Sequence, residues 1–154
     1  MNTGKYSEYM YSKKTDMNTA QGRAWFVALD AASLQHAAEE GLYERLADRA
    51  PHVSSKELAV LEKDIGRTFP ERHEFQTTAA RNALRRVLGA YALRNTYCQG
   101  MSYIAALMLQ HMPEREAFWA LAALIESFLR AESHRLEVLH QRPLRTLRCT
   151  HRLD

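Results

Sequence analysis

Between Thr78 and Leu93 the apolar residues Leu84, Val87, Leu88, Tyr91 and Ala92 fall at i, i+3, i+4, i+7 and i+8. That spacing lines one side of a 3.6-residue helix and cannot line one side of a strand, where partners recur every second residue. Arg81, Arg85, Arg86 and Arg94 take the other face. No stretch of useful length alternates with a strand's period. The expected fold class is therefore all-α, an irregular bundle of about six helices.

The remaining segments follow the same logic. Trp25, Phe26, Leu29 and Ala32 share a face of a helix expected from Gln21 to Ala32. A second helix is expected from Leu34 to Asp48, ended by Pro51. Ser54-Ser55-Lys56-Glu57 reads as a capping box. It opens a third helix carrying Leu58, Leu61 and Ile65, which stops near Gly66 because glycine favours helix ends. Pro70 drives Phe69 toward extended backbone. A fifth helix is expected from Gly100 to His111, largely apolar and hence central. Pro113 is placed to be the first residue of a sixth, which runs through Phe118, Leu121, Leu124, Ile125 and Phe128. The pattern weakens after Arg130, where Leu136, Val138 and Leu139 allow another turn or two before Pro143. The expected organisation is a polar arm at 1–19, a helical domain at 20–130, and a basic tail at 131–154 containing Arg135, Arg142, Arg145, Arg148 and Arg152.

Composition excludes several classes of protein. The 154 residues suit one domain, and an apolar share of 46% with 25% charged residues is ordinary for a water-soluble one. No run of about 18 apolar residues is present to span a bilayer. Met1 to Ala20 is polar and has no apolar segment of the secretory type. A net charge of +3 is too mild to mark a nucleic-acid binder. A basic helical nucleic-acid binder, drawn from the arginine tail, is a weak third reading that no recognition helix supports. Cys98 and Cys149 lie far apart in unlike contexts, which fits a reduced cytosolic setting. Cys98 has no local histidine to make it a nucleophile. The seven histidines show no metal-ligand spacing, so no metal is expected.

Two short blocks carry chemistry. Leu61-Glu62-Lys63-Asp64-Ile65-Gly66-Arg67-Thr68 ends a helix on an arginine, whose permanent forked charge suits phosphate oxygens. Arg67 is read either as a helix-end cation paired with Asp64 or, bracketed by Gly66 and Pro70, as a group presented on a turn. Tyr97-Cys98-Gln99-Gly100-Met101 places a glutamine in a tight polar loop between two apolar helices. A carboxamide both donates and accepts, which suits holding a water, although Gln99 taken alone reads first as a cap of the next helix. Gly100 permits close backbone approach, and Tyr97 can pack its ring while its hydroxyl stays near the polar site. Asp64 reads as an acceptor that fixes an arginine, whether Arg67, Arg81 or Arg85, or else as a solvated helix charge. Arg67 and Gln99 are 32 residues apart, with one helix between them to return the chain to the same edge.

These blocks resemble the signatures of the TBC-domain family, GTPase-activating proteins for Rab-type small GTPases. The family's I-x-x-D-x-x-R-T block is matched at Leu61, Asp64, Arg67 and Thr68, with Leu for Ile, and its Y-x-Q-G block at Tyr97, Gln99 and Gly100. The joining helix, Arg81 to Leu88 followed by Ala90-Tyr91-Ala92, and the continuation Tyr103-Ile104-Ala105-Ala106 are also similar. The resemblance implies an arginine finger at Arg67 and a glutamine finger at Gln99, supported by Asp64, Thr68, Tyr97 and Gly100. It implies a Rab-type GTPase as partner, which would bind the GTP and Mg2+. No glycine-rich phosphate loop G-x-x-x-x-G-K-[ST] occurs here, and no cofactor of the chain's own is expected. The expected location is cytoplasmic, with peripheral attachment to endomembranes through the partner. The family's domain typically continues for further helices, so this chain resembles its N-terminal part. Exposed apolar surface, marginal stability and weak binding are expected, with a catalytically weak GTPase-binding or scaffold module as the alternative function.

Overall fold

A computed structural model of the chain describes residues 19–52 and 55–140. The expected arm before residue 19, the Ser54 half of the capping box, and the tail beyond residue 140 lie outside them. Every regular element among the described residues is helical: α1 (Ala20–Ala28), α2 (Ala31–His36), α3 (Leu42–Arg49), α4 (Ser55–Arg67), α5 (Thr78–Arg94), α6 (Met101–Leu109) and α7 (Glu114–His140). Single 3-10 turns at Ala50–His52 and His73–Phe75 complete the set. The all-α reading holds.

The N-terminal boundaries differ from the sequence expectation. The helix expected over Gln21–Ala32 ends at Ala28, because Asp30 adopts a left-handed φ of 53° and then accepts a hydrogen bond from the Ser33 hydroxyl at 2.7 Å. The helix expected over Leu34–Asp48 is likewise two, separated by a left-handed Gly41. Helix α4 ends at Arg67, one residue past Gly66 and so where expected, although Gly66 itself is still helical. At the other end, α7 runs unbroken to His140, past the point where its apolar pattern fades. Pro113 immediately precedes that helix, and its carbonyl accepts the Ala117 N–H at 2.9 Å.

Helix α5 is the axis. The hydroxyl of Thr77 accepts the Ala80 N–H at 3.1 Å and fixes its start. Val87, Leu88, Ala90 and Tyr91 are buried, and the helix packs against α3, α4, α6 and α7. At Gly89 the chain passes so close to Ala50 that an added Cβ would lie 2.6 Å from the alanine methyl, so only glycine fits. The first turns of α7, Ala117 to Ala123, are buried on every side, mixing small residues with Phe118, Trp119 and Leu121. A helix apolar all round belongs inside. Downstream the enclosure ends: Phe128 is 61% exposed and Leu129 is also exposed, as are Tyr103 and Leu107 on α6. The expected uncovered apolar surface is thus present on both helices. None of the described helices is long and apolar enough to cross a membrane.

Candidate functional site

The last turn of α4 sorts its residues by face. Asp64 points inward and is 1% exposed, while Arg67, three residues on, keeps nearly half of its side chain in solvent. Across from them α5 ends at Arg94, and the loop Asn95–Gly100 returns the chain to α6. A turn bond from the Met101 N–H to the Cys98 carbonyl, 3.2 Å, tightens the loop. Gly100 has φ 95°, a left-handed conformation that turns its own N–H toward α4.

Asp64 joins the two blocks. Its Oδ1 accepts from the Arg67 guanidinium. Its Oδ2 accepts the Tyr97 hydroxyl at 2.6 Å and the Gly100 N–H at 3.3 Å. A buried carboxylate is tolerated only when donors replace its lost water, and here three do. The Thr68 hydroxyl, also buried, donates to the Asp64 backbone carbonyl at 2.6 Å and closes the helix end. Burial pushes the Tyr97 phenol well above its ordinary value, and its hydrogen bond to Asp64 adds to the shift. The phenol therefore stays protonated and remains a donor.

Arg67, Gln99, Gly100 and Tyr103 line one shallow, open pocket. Gln99 is exposed there, and Gly100 occupies the cap position of α6 instead. All six residues singled out from the sequence (Asp64, Arg67, Thr68, Tyr97, Gln99 and Gly100) thus meet at one edge of the bundle. The structure decides between two pairs of alternatives left open by the sequence and departs from one expectation, at Phe69. Arg67 is the last helical residue of α4, not a residue of the turn beyond it. Its guanidinium rests on Asp64, so that carboxylate fixes Arg67; Arg81 bonds to Gln76, and Arg85 forks onto Glu62. Phe69 is not extended: its φ is 44°, left-handed. Pro70 does bar the ordinary helical region to Phe69, but ring contacts with Phe75 at 5.0 Å and Tyr103 at 5.1 Å select the left-handed alternative.

Sequence reasoning missed Tyr103, whose hydroxyl donates to the Arg67 carbonyl at 2.8 Å. Its spacing of three from Gly100 was the available signal, since it puts both over one side of α6. Among the described residues no group of three His, Cys, Asp or Glu side chains lies close enough to hold a metal ion.

A buried acid that joins a helix-end arginine to a glutamine loop is an arrangement that can be compared with known proteins. The model of a family described as the Rab-GTPase-TBC domain matches residues 18–144. The chain belongs to the Rab-GTPase-TBC domain family. The matched stretch contains both blocks of this TBC domain and all seven of the described helices. The TBC domain is also similar to the GTPase-activating protein MSB4 of Saccharomyces cerevisiae. The two are 33% identical over 121 residues, covering 71% of this chain and 24% of that protein. The chain thus spans about a quarter of the length of this curated relative.

Proposed function

We propose that the chain stimulates GTP hydrolysis on a Rab-type small GTPase, with Arg67 as an arginine finger and Gln99 as a glutamine finger. The observation that carries this reading is the shared pocket: a guanidinium and a carboxamide from separate elements line one open edge, tied together through Asp64. In phosphoryl transfer, charge spreads over the oxygens of the transferred group, and a supplied guanidinium stabilises it. Such a finger contributes about a thousand- to a hundred-thousandfold in rate, or roughly 4–7 kcal/mol. Gln99 orients the attacking water through its paired donor and acceptor. Asp64, Thr68, Tyr97 and Gly100 hold the two fingers in register. The GTP and its Mg2+ belong to the partner, and the chain brings no cofactor and no hydrolase chemistry of its own. It acts in the cytoplasm, reaching endomembranes in vesicle trafficking through the partner.

Phosphate release by a panel of GTP-loaded Rab proteins, with and without the chain, tests this. At least one Rab is expected to respond, and Arg67→Ala is expected to lower the stimulated rate by about a thousandfold or more. Gln99→Ala should abolish stimulation while leaving the melting temperature in place. An Arg67→Ala variant as active as the parent rejects the finger role.

One observation favours a second reading, a GTPase-binding scaffold of little activity. The Arg67 guanidinium is already engaged by Asp64 and must exchange that contact for phosphate oxygens. A scaffold would bind GTP-loaded Rab in a pull-down without accelerating phosphate release.

A further inference from the structure

Arg67 can act only as well as the backbone beneath it is held, and that backbone leaves the helix directly after it. Thr68 and Phe69 form a turn whose carbonyls cannot find partners along α4. A side chain outside both sequence blocks supplies the missing donor. The amide nitrogen of Gln76 lies across two consecutive carbonyls, donating to Thr68 at 3.3 Å and to Phe69 at 3.2 Å. The Arg72 N–H also donates to the Phe69 carbonyl, at 3.0 Å.

The turn needs this restraint. A non-glycine residue with positive φ is strained and persists only where its surroundings over-determine it. Phe69 is such a residue. Its ring is fixed by Phe75 and Tyr103, and its carbonyl by Gln76. The orientation of the Gln76 amide is itself set. Reversed, it would aim its oxygen at two carbonyl oxygens. Arg81 prevents this by donating from its guanidinium to Oε1. Arg81 gains no second hydrogen bond from its Nε, which is buried without a partner. Neither Gln76 nor Arg81 lines the pocket of Arg67 and Gln99, so their influence runs through the turn.

We propose that Gln76, oriented by Arg81, is a positioning residue that locks the turn after Arg67 and keeps its guanidinium over the pocket shared with Gln99. The effect on hydrolysis rests on the reading of Arg67 as a finger. The effect on the turn does not.

The test uses the full chain and single-turnover hydrolysis by a responsive GTP-loaded Rab, with the chain concentration varied. Gln76→Ala is expected to lower the maximal stimulated rate by about tenfold while moving the half-saturating concentration less than about twofold, the signature of a lost transition-state contact. In an Arg67→Ala background the same substitution should cost nothing further, because residues acting as one unit are not additive. A Gln76→Ala variant that slows the reaction by the same factor without Arg67 overturns the proposal. Arg81→Met should reproduce the loss, and Arg81→Met at the parental rate overturns the part assigned to Arg81. Gln76→Glu, which keeps the size and turns the donor into an acceptor, serves if the alanine variant does not fold.

Amide hydrogen exchange on the free chain supplies a readout independent of any GTPase. In Gln76→Ala, exchange at Thr68 and Arg72 should speed up while Leu88 in the α5 core stays protected. Unchanged protection at Thr68 and Arg72 overturns the proposal. If no Rab responds to the parental chain, only the finger reading fails, and the exchange result still decides the turn.

Discussion

Asp64 shows how one buried charge can organise a surface site. Its three donors come from two elements, so the carboxylate fixes the relation of α4 to the α5–α6 loop. The Arg67 contact alone adds little to stability, since nearly half of that side chain is in solvent. The Tyr97 and Gly100 contacts are enclosed and carry most of the effect. Asp64→Asn retains the shape but turns two donors into weak or mismatched partners. It is expected to lower stability by about 1.5–3 kcal/mol, the value of hydrogen bonds to a charged group. A urea titration with a lower midpoint and unchanged slope checks this. The tyrosines set an alkaline limit. Burial raises Tyr97, and it also raises Tyr43, whose hydroxyl donates to Glu114 at 2.8 Å. Because the folded chain binds these protons more tightly than the unfolded one, their contribution is intact below the ordinary phenol value of about 10 and is lost as pH climbs toward the raised folded values. The melting temperature should be level from neutral to about pH 9 and then fall, and Tyr97→Phe should flatten that fall. The residue types of this site were legible in the sequence because charge and carboxamide chemistry are local properties. The choice of Arg67 over Arg81 or Arg85 as the partner of Asp64 was not, because it depends on how α5 is rotated against α4.

Two glycines show that an element's context decides the sign of a substitution. Gly66 lies on the exposed side of α4 with nothing within 4 Å of an added Cβ. Gly66→Ala removes unfolded-state freedom and improves helix propensity, so it should raise stability by about 0.5–1 kcal/mol. Gly89 lies in α5 against Ala50, and an added Cβ would meet that methyl at 2.6 Å. Gly89→Ala forces the α3 end away from α5 and should lower stability by about 1–3 kcal/mol despite the same propensity gain. Thermal or urea melts of the two single variants should move in opposite directions, and parallel shifts would refute this account. The same contrast explains which boundaries the sequence revealed. Helix α5 was readable because an apolar period and the Thr77 cap agree. The breaks at Asp30 and Gly41 were not, since flanks rich in alanine, leucine, glutamate and arginine carry strong helix propensity and mask a single left-handed residue. Phe69 was misread because Pro70 excludes one conformation without choosing between the others, and the choice is made by rings distant in sequence.

At the scale of the whole molecule, enclosure is uneven along α7. Ala117 to Ala123 are sealed by the surrounding helices, whereas Phe128 and Leu129, one to two turns on, are exposed. The helix is therefore sealed at its start and open to solvent at Phe128 and Leu129. Past the sealed turns Glu126 pairs with Arg94 of α5 at 3.0 Å, and the same guanidinium lies 5.1 Å from the Trp119 ring centre. Phe128 gains little from folding, because a side chain that is 61% exposed has removed only a minor part of its apolar area from water. Phe128→Ser should thus change stability by no more than about 0.5 kcal/mol, the usual range for exposed positions. It should, however, remove the most exposed aromatic among the described residues, and with it much of the affinity for apolar probes. Measured side by side, the variant is expected to melt at the parental temperature yet bind less of a hydrophobic dye in the folded state. A large drop in melting temperature would mean that Phe128 is enclosed in solution, and that α7 packs there against more than α1 to α6.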